Sequence, residues 1–140
     1  MDMDIIAQSI LGILPFLYHL GAGLLLMVAF IIIYVKITPY PELDLIRSGN
    51  VAAACSLSGA TLGFSIPLAQ ATAQSGNILD MLLWAGIALV VQLLVYVIVR
   101  LIVPNIARDI QDDKIAAGIF LGALSLASGL LSAASMSDGD

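Results

Sequence analysis

The chain has 140 residues, of which 61% are hydrophobic and only 11% charged, with a net charge of −5 and a mean hydropathy of +1.07. Soluble domains carry roughly 25% charged residues, so the composition predicts an integral membrane protein. With no basic cluster to neutralise phosphates, nucleic acid is excluded as a partner. One cysteine, Cys55, and one histidine, His19, leave neither an internal disulfide nor a Cys/His metal constellation, and nothing calls for a cofactor.

The N-terminus, MDMD, is acidic where a secretory signal would begin with positive charge, so it reads as retained. Uncharged apolar runs follow at 11–35, 51–71, 78–103 (broken only by Arg100 near its end) and 115–135. A helix needs about 20 residues to cross a bilayer, and helices satisfy their own backbone in lipid, whereas strands would need a closed barrel with period-two patterning that is lacking here. The expectation is an all-α membrane protein, a bundle of four transmembrane helices forming a single membrane domain over 1–140.

In the first span, His19 lies about 12 Å from the outer end at 1.5 Å per residue, on a face with Gly12, Pro15 and Gly23. An ionisable group at that depth is a candidate proton acceptor or gate. A neutral imidazole donating to a serine or carbonyl of a neighbouring helix is the structural alternative. The first connection, KITPYPELDLIRSGN, has proline-marked helix ends and alternates Leu43 and Ile46 with charges. That pattern suggests a short interfacial helix, or else a solvated loop.

The second span is the polar one. At 100° per residue Ala52, Ser56, Gly59, Gly63, Pro67 and Gln70 fall within about a third of the circumference, with Leu57, Leu62, Phe64 and Leu68 off that arc. Asn77 followed by Asp80 resembles an N-cap with an acid in the first turn of the third span. Gln92 and Tyr96, one turn apart, suit an interhelical polar contact or a pore-facing pair. The second connection, RLIVPNIARDIQDDK, repeats the pattern of the first with Ile106 and Ile110. The fourth span again has a small and polar side, with Gly118, Gly122, Ser125, Ser128, Gly129 and Ser132, and Phe120, Leu124, Leu130 and Leu131 elsewhere.

These two stripes admit two readings. Small residues permit close helix approach where lipid tails are already as apolar as leucine, and serines add hydrogen bonds of about 0.6 to 2 kcal/mol. Alternatively the stripes line a hydrated crevice, with Pro67 freeing a carbonyl for a solute or ion. An intramembrane hydrolase would need a nucleophile beside a base; His19 is the only histidine available and no nucleophile motif surrounds Ser56 or Ser65, so the expectation is a non-enzyme.

All five bases fall in or beside the two connections: Lys36 and Arg47, then Arg100, Arg108 and Lys114. The positive-inside rule makes both connections cytoplasmic and both acidic termini periplasmic. Sliding the chain by 64 places Lys36 on Arg100, Ile46 on Ile110, Val51-Ala52-Ala53 on Ile115-Ala116-Ala117, Leu57 on Leu121 and Leu62 on Leu126. The fourfold bundle is therefore expected to be two tandem two-helix repeats, about 11–71 and 75–135, running parallel about a pseudo-two-fold along the membrane normal.

The stretches KITPYPELDLIRSGNVAAACSLSGATLGFSIPL, LLWAGIALVVQLLVY and KIAAGIFLGALSLASGLLSAAS resemble the bacterial YjfL-like inner-membrane family, a group of unknown function. The likeness runs over residues 30–135 and rests on GFSIPL and WAGIALVVQLLV. It implies a four-span inner-membrane protein of paired two-helix units and brings no catalytic residue or substrate. The leading expectation is assembly with itself or other envelope proteins through the small-residue faces; the alternative is a small channel or carrier for a proton, ion or polar solute.

Overall fold

The structure is a computed structural model that describes residues 2–136; the acidic tail at 137–140 lies outside the described residues. Six helices follow one another: α1 (Asp2–Ile37), α2 (Glu42–Arg47), α3 (Val51–Gln74), α4 (Ile78–Ile102), α5 (Ile106–Gln111) and α6 (Ile115–Met136). Of these α1, α3, α4 and α6 are long and apolar enough to cross a membrane, so the chain is an all-α, four-span protein. Both connections carry a short helix rather than a plain loop.

The first helix differs from the expected 11–35 span. It begins at Asp2 and runs 36 residues, because Asp2 and Asp4 in its first turn complement the helix dipole and nothing in IIAQSIL breaks it. His19 accordingly lies about 25 Å along the helix from its start.

The bundle is built on α3 and α6, which lie side by side and run in the same direction, since Ala52, Gly59 and Gly63 meet Gly118, Gly122 and Gly129 in that order, and α4 packs against both. On α4 the buried residues Met81, Ala85, Ala88, Gln92, Tyr96 and Val99 recur at three- and four-residue spacing, one stripe of a 3.6-residue helix. The opposite side of α4 exposes Leu79, Leu83, Val90, Leu94 and Leu101, as a lipid-facing surface should. Helix α1 joins through its second half only: Phe30 stacks on Phe64 of α3 at 4.5 Å between ring centres, and Tyr34 meets Tyr96 of α4 edge to face at 5.6 Å.

The two connections close in the same way. Backbone bonds Ser48 N→Asp44 O (3.1 Å), Gly49 N→Ile46 O (3.0 Å) and Asn50 N→Leu45 O (2.9 Å) end α2, and Asp112 N→Arg108 O (2.9 Å), Asp113 N→Ile110 O (3.0 Å) and Lys114 N→Asp109 O (2.9 Å) end α5. Each turn needs one left-handed residue, supplied by Gly49 (φ 93°) and Asp113 (φ 57°); aspartate is among the few side chains that visit this region. The turns also interlock. Asn50 caps α3 by accepting from Ala53 N (2.8 Å) while its Nδ2 donates to Ile110 O (2.8 Å), and Asp113 Oδ1 accepts from Ala52 N at 3.0 Å. Asn77 caps α4 by accepting from Asp80 N at 2.8 Å.

Candidate functional site

The small-residue stripes meet each other inside one chain. Gly118 lies against the Ala52 backbone, Gly59 against Gly122, Gly122 against the Cys55 carbonyl, Gly63 against the Ser125 carbonyl, and Gly129 against the Gly63 carbonyl. A methyl at Gly129 would fall 2.6 Å from Gly63 Cα, and one at Gly118 2.6 Å from Ala52 Cα, so only glycine admits this approach. The carbonyl that Pro67 frees, four residues back, is that of Gly63, and Gly129 covers it. Pro67 is buried and α3 passes through it as one helix.

Hydroxyls along the spans turn to their own helices. Thr61, Ser65, Thr72, Ser128 and Ser135 donate within their own helices, to Leu57, Leu62, Leu68, Leu124 and Leu131 carbonyls, at 2.8–2.9 Å. Between spanning helices in the interior, Gln92 Nε2 donates to Ser125 O at 3.0 Å. Ser56 and Ser125 are fully buried, whereas Gln70 is half-buried towards the other end of α3, so the polar side chains do not converge on one chamber. Ser132 is half-buried and lines an open groove with Trp84, Val91 and Ser128.

His19 is not brought together with Gln92. It faces α3 across a groove lined by Gly23, Met27, Ser65, Leu68 and Thr72, and its Nδ1 donates to Pro15 O one turn earlier at 2.8 Å. The imidazole thus serves its own helix rather than a neighbouring one.

The most polar interior lies where α1, α2, α3 and α4 meet at the connection end. Helix α2 folds back beneath the bundle and seats its first residue, Glu42, at 0% exposure, among Tyr34 (1%), Tyr40 (3%), Ser56 (0%) and Tyr96 (1%). Thr38 Oγ1 lies 3.3 Å from Glu42 Oε2, but also 2.9 Å from Val35 O and 3.4 Å from Tyr40 O. Its single hydrogen serves one of these three acceptors. Glu42 Oε1, the Tyr34, Tyr40 and Tyr96 hydroxyls and Ser56 Oγ have no hydrogen-bond partner, although the Ser56 hydroxyl lies beside Tyr34 and Tyr40, and Tyr40 beside Tyr96.

No base offsets the carboxyl: among the described residues the ion pairs are Arg47–Asp44 (3.8 Å) and Lys114–Asp109 (3.4 Å), both at the surface. Burial pushes Glu42 up to about 7 from 4.5, against a smaller opposing effect of the Thr38 hydroxyl. Burial first, and then the Glu42 charge, raise Tyr40 as well.

Sequence reasoning passed over Glu42 as one charge among several in an interfacial segment. A signal existed: it is the only glutamate in the chain, whose other nine acids are all aspartate. No group of three or more His, Cys, Asp or Glu side chains gathers for a metal among the described residues.

Comparison with known proteins places this architecture. The model of the family described as Domain of Unknown Function (DUF350) matches residues 7–136. The chain belongs to the DUF350 family. It is similar to the "UPF0719 inner membrane protein YjfL" of Escherichia coli, strains K12 and O157:H7, at 42% identity over 125 residues, covering 89% of this chain and 95% of that protein. It is also similar to the "UPF0719 transmembrane protein YshE" of Bacillus subtilis, 26% identical over 102 residues, 71% of this chain and 76% of that one. No solved structure matches it. The family match reaches back to residue 7 and so includes His19, which the narrower likeness over 30–135 left out. The relatives and the four spans support a multi-pass protein of the inner membrane.

Proposed function

We propose that this DUF350 protein is a non-enzymatic inner-membrane component that works by assembling with further copies of itself, and that the assembling surface is the outer half of α1. The glycine faces of α3 and α6 are engaged with each other and are not left over for a second protein. What carries the reading is that residues 2–18 of α1 are exposed on every side.

Lipid covers such a helix only within its own thickness. The uncharged stretch from Ile5 to Val35, which adds Gln8 and Ser9 to the apolar run at 11–35, is about 46 Å long at 1.5 Å per residue, against about 30 Å of hydrocarbon. Fitting it between the headgroups would take a tilt of about 50°, beyond the range of about 0–40° that spanning helices adopt. Ile6, Ile10, Ile13 and Leu17, at alternating four- and three-residue spacing, give a second copy a matching seam of the same length. The placement of all five bases at the connections supports periplasmic termini and puts this seam on the periplasmic side.

We also read the chain as a tandem duplication, since α2 and α5 begin 64 residues apart, as do α3 and α6. A permeation route between α3 and α6 has no support in this geometry, where backbone touches backbone. Nor does the His19 groove favour hydrolysis, because Ser65 donates to Leu62 O rather than to the imidazole.

Single cysteines at Ile10, Ile13 and Leu17, in a Cys55→Ser background, test the assembly. Oxidative crosslinking in native membranes is expected to give dimers, with efficiency following the four- and three-residue seam. A strictly monomeric molar mass in nanodiscs and detergent, with no crosslinked product at any of the three sites, would refute it. Products with other envelope proteins alone would assign the surface to a different partner.

A further inference from the structure

The carboxyl beneath the bundle is independent of the assembly reading and goes beyond it. Its position does not require a charge. Glu42 is the first residue of α2, and the first residue of α5, in the same place under the other half of the bundle, is Ile106, equally buried at 1%. An apolar side chain fills that place well, so packing alone does not account for a glutamate.

The surroundings are also wrong for a permanent carboxylate. Burying an ionised carboxyl without a paired cation carries a cost of several kcal/mol, and such a group neutralises itself instead. From α1 it is faced by Tyr34 and Thr38, from the turn after α1 by Tyr40 and from α4 by Tyr96, behind which stands Arg100, while Ser56 of α3 stands beside Tyr34 and Tyr40. Within α2, Asp44 and Arg47 pair with each other at the surface. Among the described residues, Glu42 Oε1, the three phenols and Ser56 Oγ are buried here with no close hydrogen bond, the hydroxyls lying beside one another as Ser56 with Tyr34 and Tyr40 and Tyr40 with Tyr96. A neutral carboxyl brings no charge into this cluster, whose other groups are hydroxyls that each both donate and accept.

We propose that Glu42 is a proton-binding site, held as a neutral carboxyl inside the hydroxyl cluster, and that loss of this proton releases α2 from the base of the bundle. On release, the O–H bond of the carboxyl breaks, the proton passes to water at the connection end, and the side chain keeps the electron pair as a carboxylate. The charge then draws Glu42 towards solvent. Because α2 is six residues long and its turn interlocks with α5 through Asn50, movement of Glu42 is transmitted to the start of α3. Burial raises the affinity of the site for its proton into the neutral range, where cellular pH changes act on it.

The chain's single glutamate makes the test direct, since glutamate labelled with carbon-13 at the carboxyl reports this site alone in the full, unmutated protein. In lipid nanodiscs its titration midpoint is expected near 7, and backbone amides of α2 and Asn50 are expected to lose hydrogen-exchange protection over the same range. Glu42→Gln is expected to keep those amides protected above neutral pH, measured against wild type at equal pH. A midpoint in the ordinary carboxylate range near 4.5 would overturn the site, whether or not the glutamine variant folds. A neutral-range midpoint with pH-independent protection would overturn the release of α2. Repeating the titration in sodium, potassium and choline salts separates a proton from a metal cation: a midpoint that falls as one alkali ion is raised would reassign the site to that ion.

Discussion

The glycine seam gives the sharpest test of the fold, through Gly59→Ala. A β-carbon there would fall against the Cα and carbonyl oxygen of Gly122 and 2.5 Å from its carbonyl carbon. Carbon atoms rest at about 3.5–4.0 Å, so α3 and α6 must separate locally by about 1 Å. The obstruction is backbone, which has no rotamer to yield. The separation would spread to the adjoining Ala52–Gly118 and Gly63–Gly129 contacts, because the helices are rigid over a few turns. Overpacking of this kind costs about 1–3 kcal/mol, offset by at most about 1 kcal/mol from the better helix propensity of alanine. Gly86→Ala is the matched control, since a methyl there meets nothing within 4 Å. It should be neutral or stabilising by up to about 1 kcal/mol. In reversible unfolding in mixed micelles the two variants should differ by about 2 kcal/mol, roughly thirtyfold in the folding equilibrium. Equal stabilities would refute the backbone contact of α3 with α6. The Gly59→Ala, Gly122→Ala double variant should destabilise less than the sum of its parts, since both methyls force the same gap.

Three further outcomes are expected. Asn50→Ala removes the cap on Ala53 N and the bond to Ile110 O, which should lower stability by about 1 kcal/mol for the cap and a further amount of about 0.5–1.5 kcal/mol for the second bond, since Ile110 O keeps its bond from Asp113 N; the same unfolding assay reads both. Glu42, whose folded value is raised from 4.5 to about 7, holds more protons folded than unfolded between those values. Stability should therefore be greatest below the lower value and fall as pH rises through the upper one, by about 3 kcal/mol in all, and Glu42→Gln should flatten that slope. His19→Ala loses only a bond within its own helix and should change stability by no more than about 0.5 kcal/mol, measured in the same way.

The stripe of Ser56, Gly59 and Gly63 on one helix and of Gly118, Gly122 and Ser125 on another could be read from periodicity, because both faces follow the 3.6-residue repeat. Periodicity does not say what a face touches. Only the packed bundle sets each stripe against the other within one chain. The caps at Asn50 and Asn77 illustrate the same limit: Asn77 acts locally and its spacing to Asp80 announced it, whereas Asn50 also reaches 60 residues ahead to Ile110, a contact no local pattern contains.

Sequence by itself determined the solvent of this protein and the number of its crossings, since a bilayer excludes charge and requires about 20 apolar residues per crossing. The tertiary structure alone decided the fate of Glu42 and of α1. A carboxyl in a segment of alternating charge reads as solvated until the chain folds back and takes water away from it, and a long apolar helix gives no sign of which half its neighbours will cover: α1 is buried through its second half only. Both depend on what surrounds a side chain in three dimensions, which is fixed by how the helices pack.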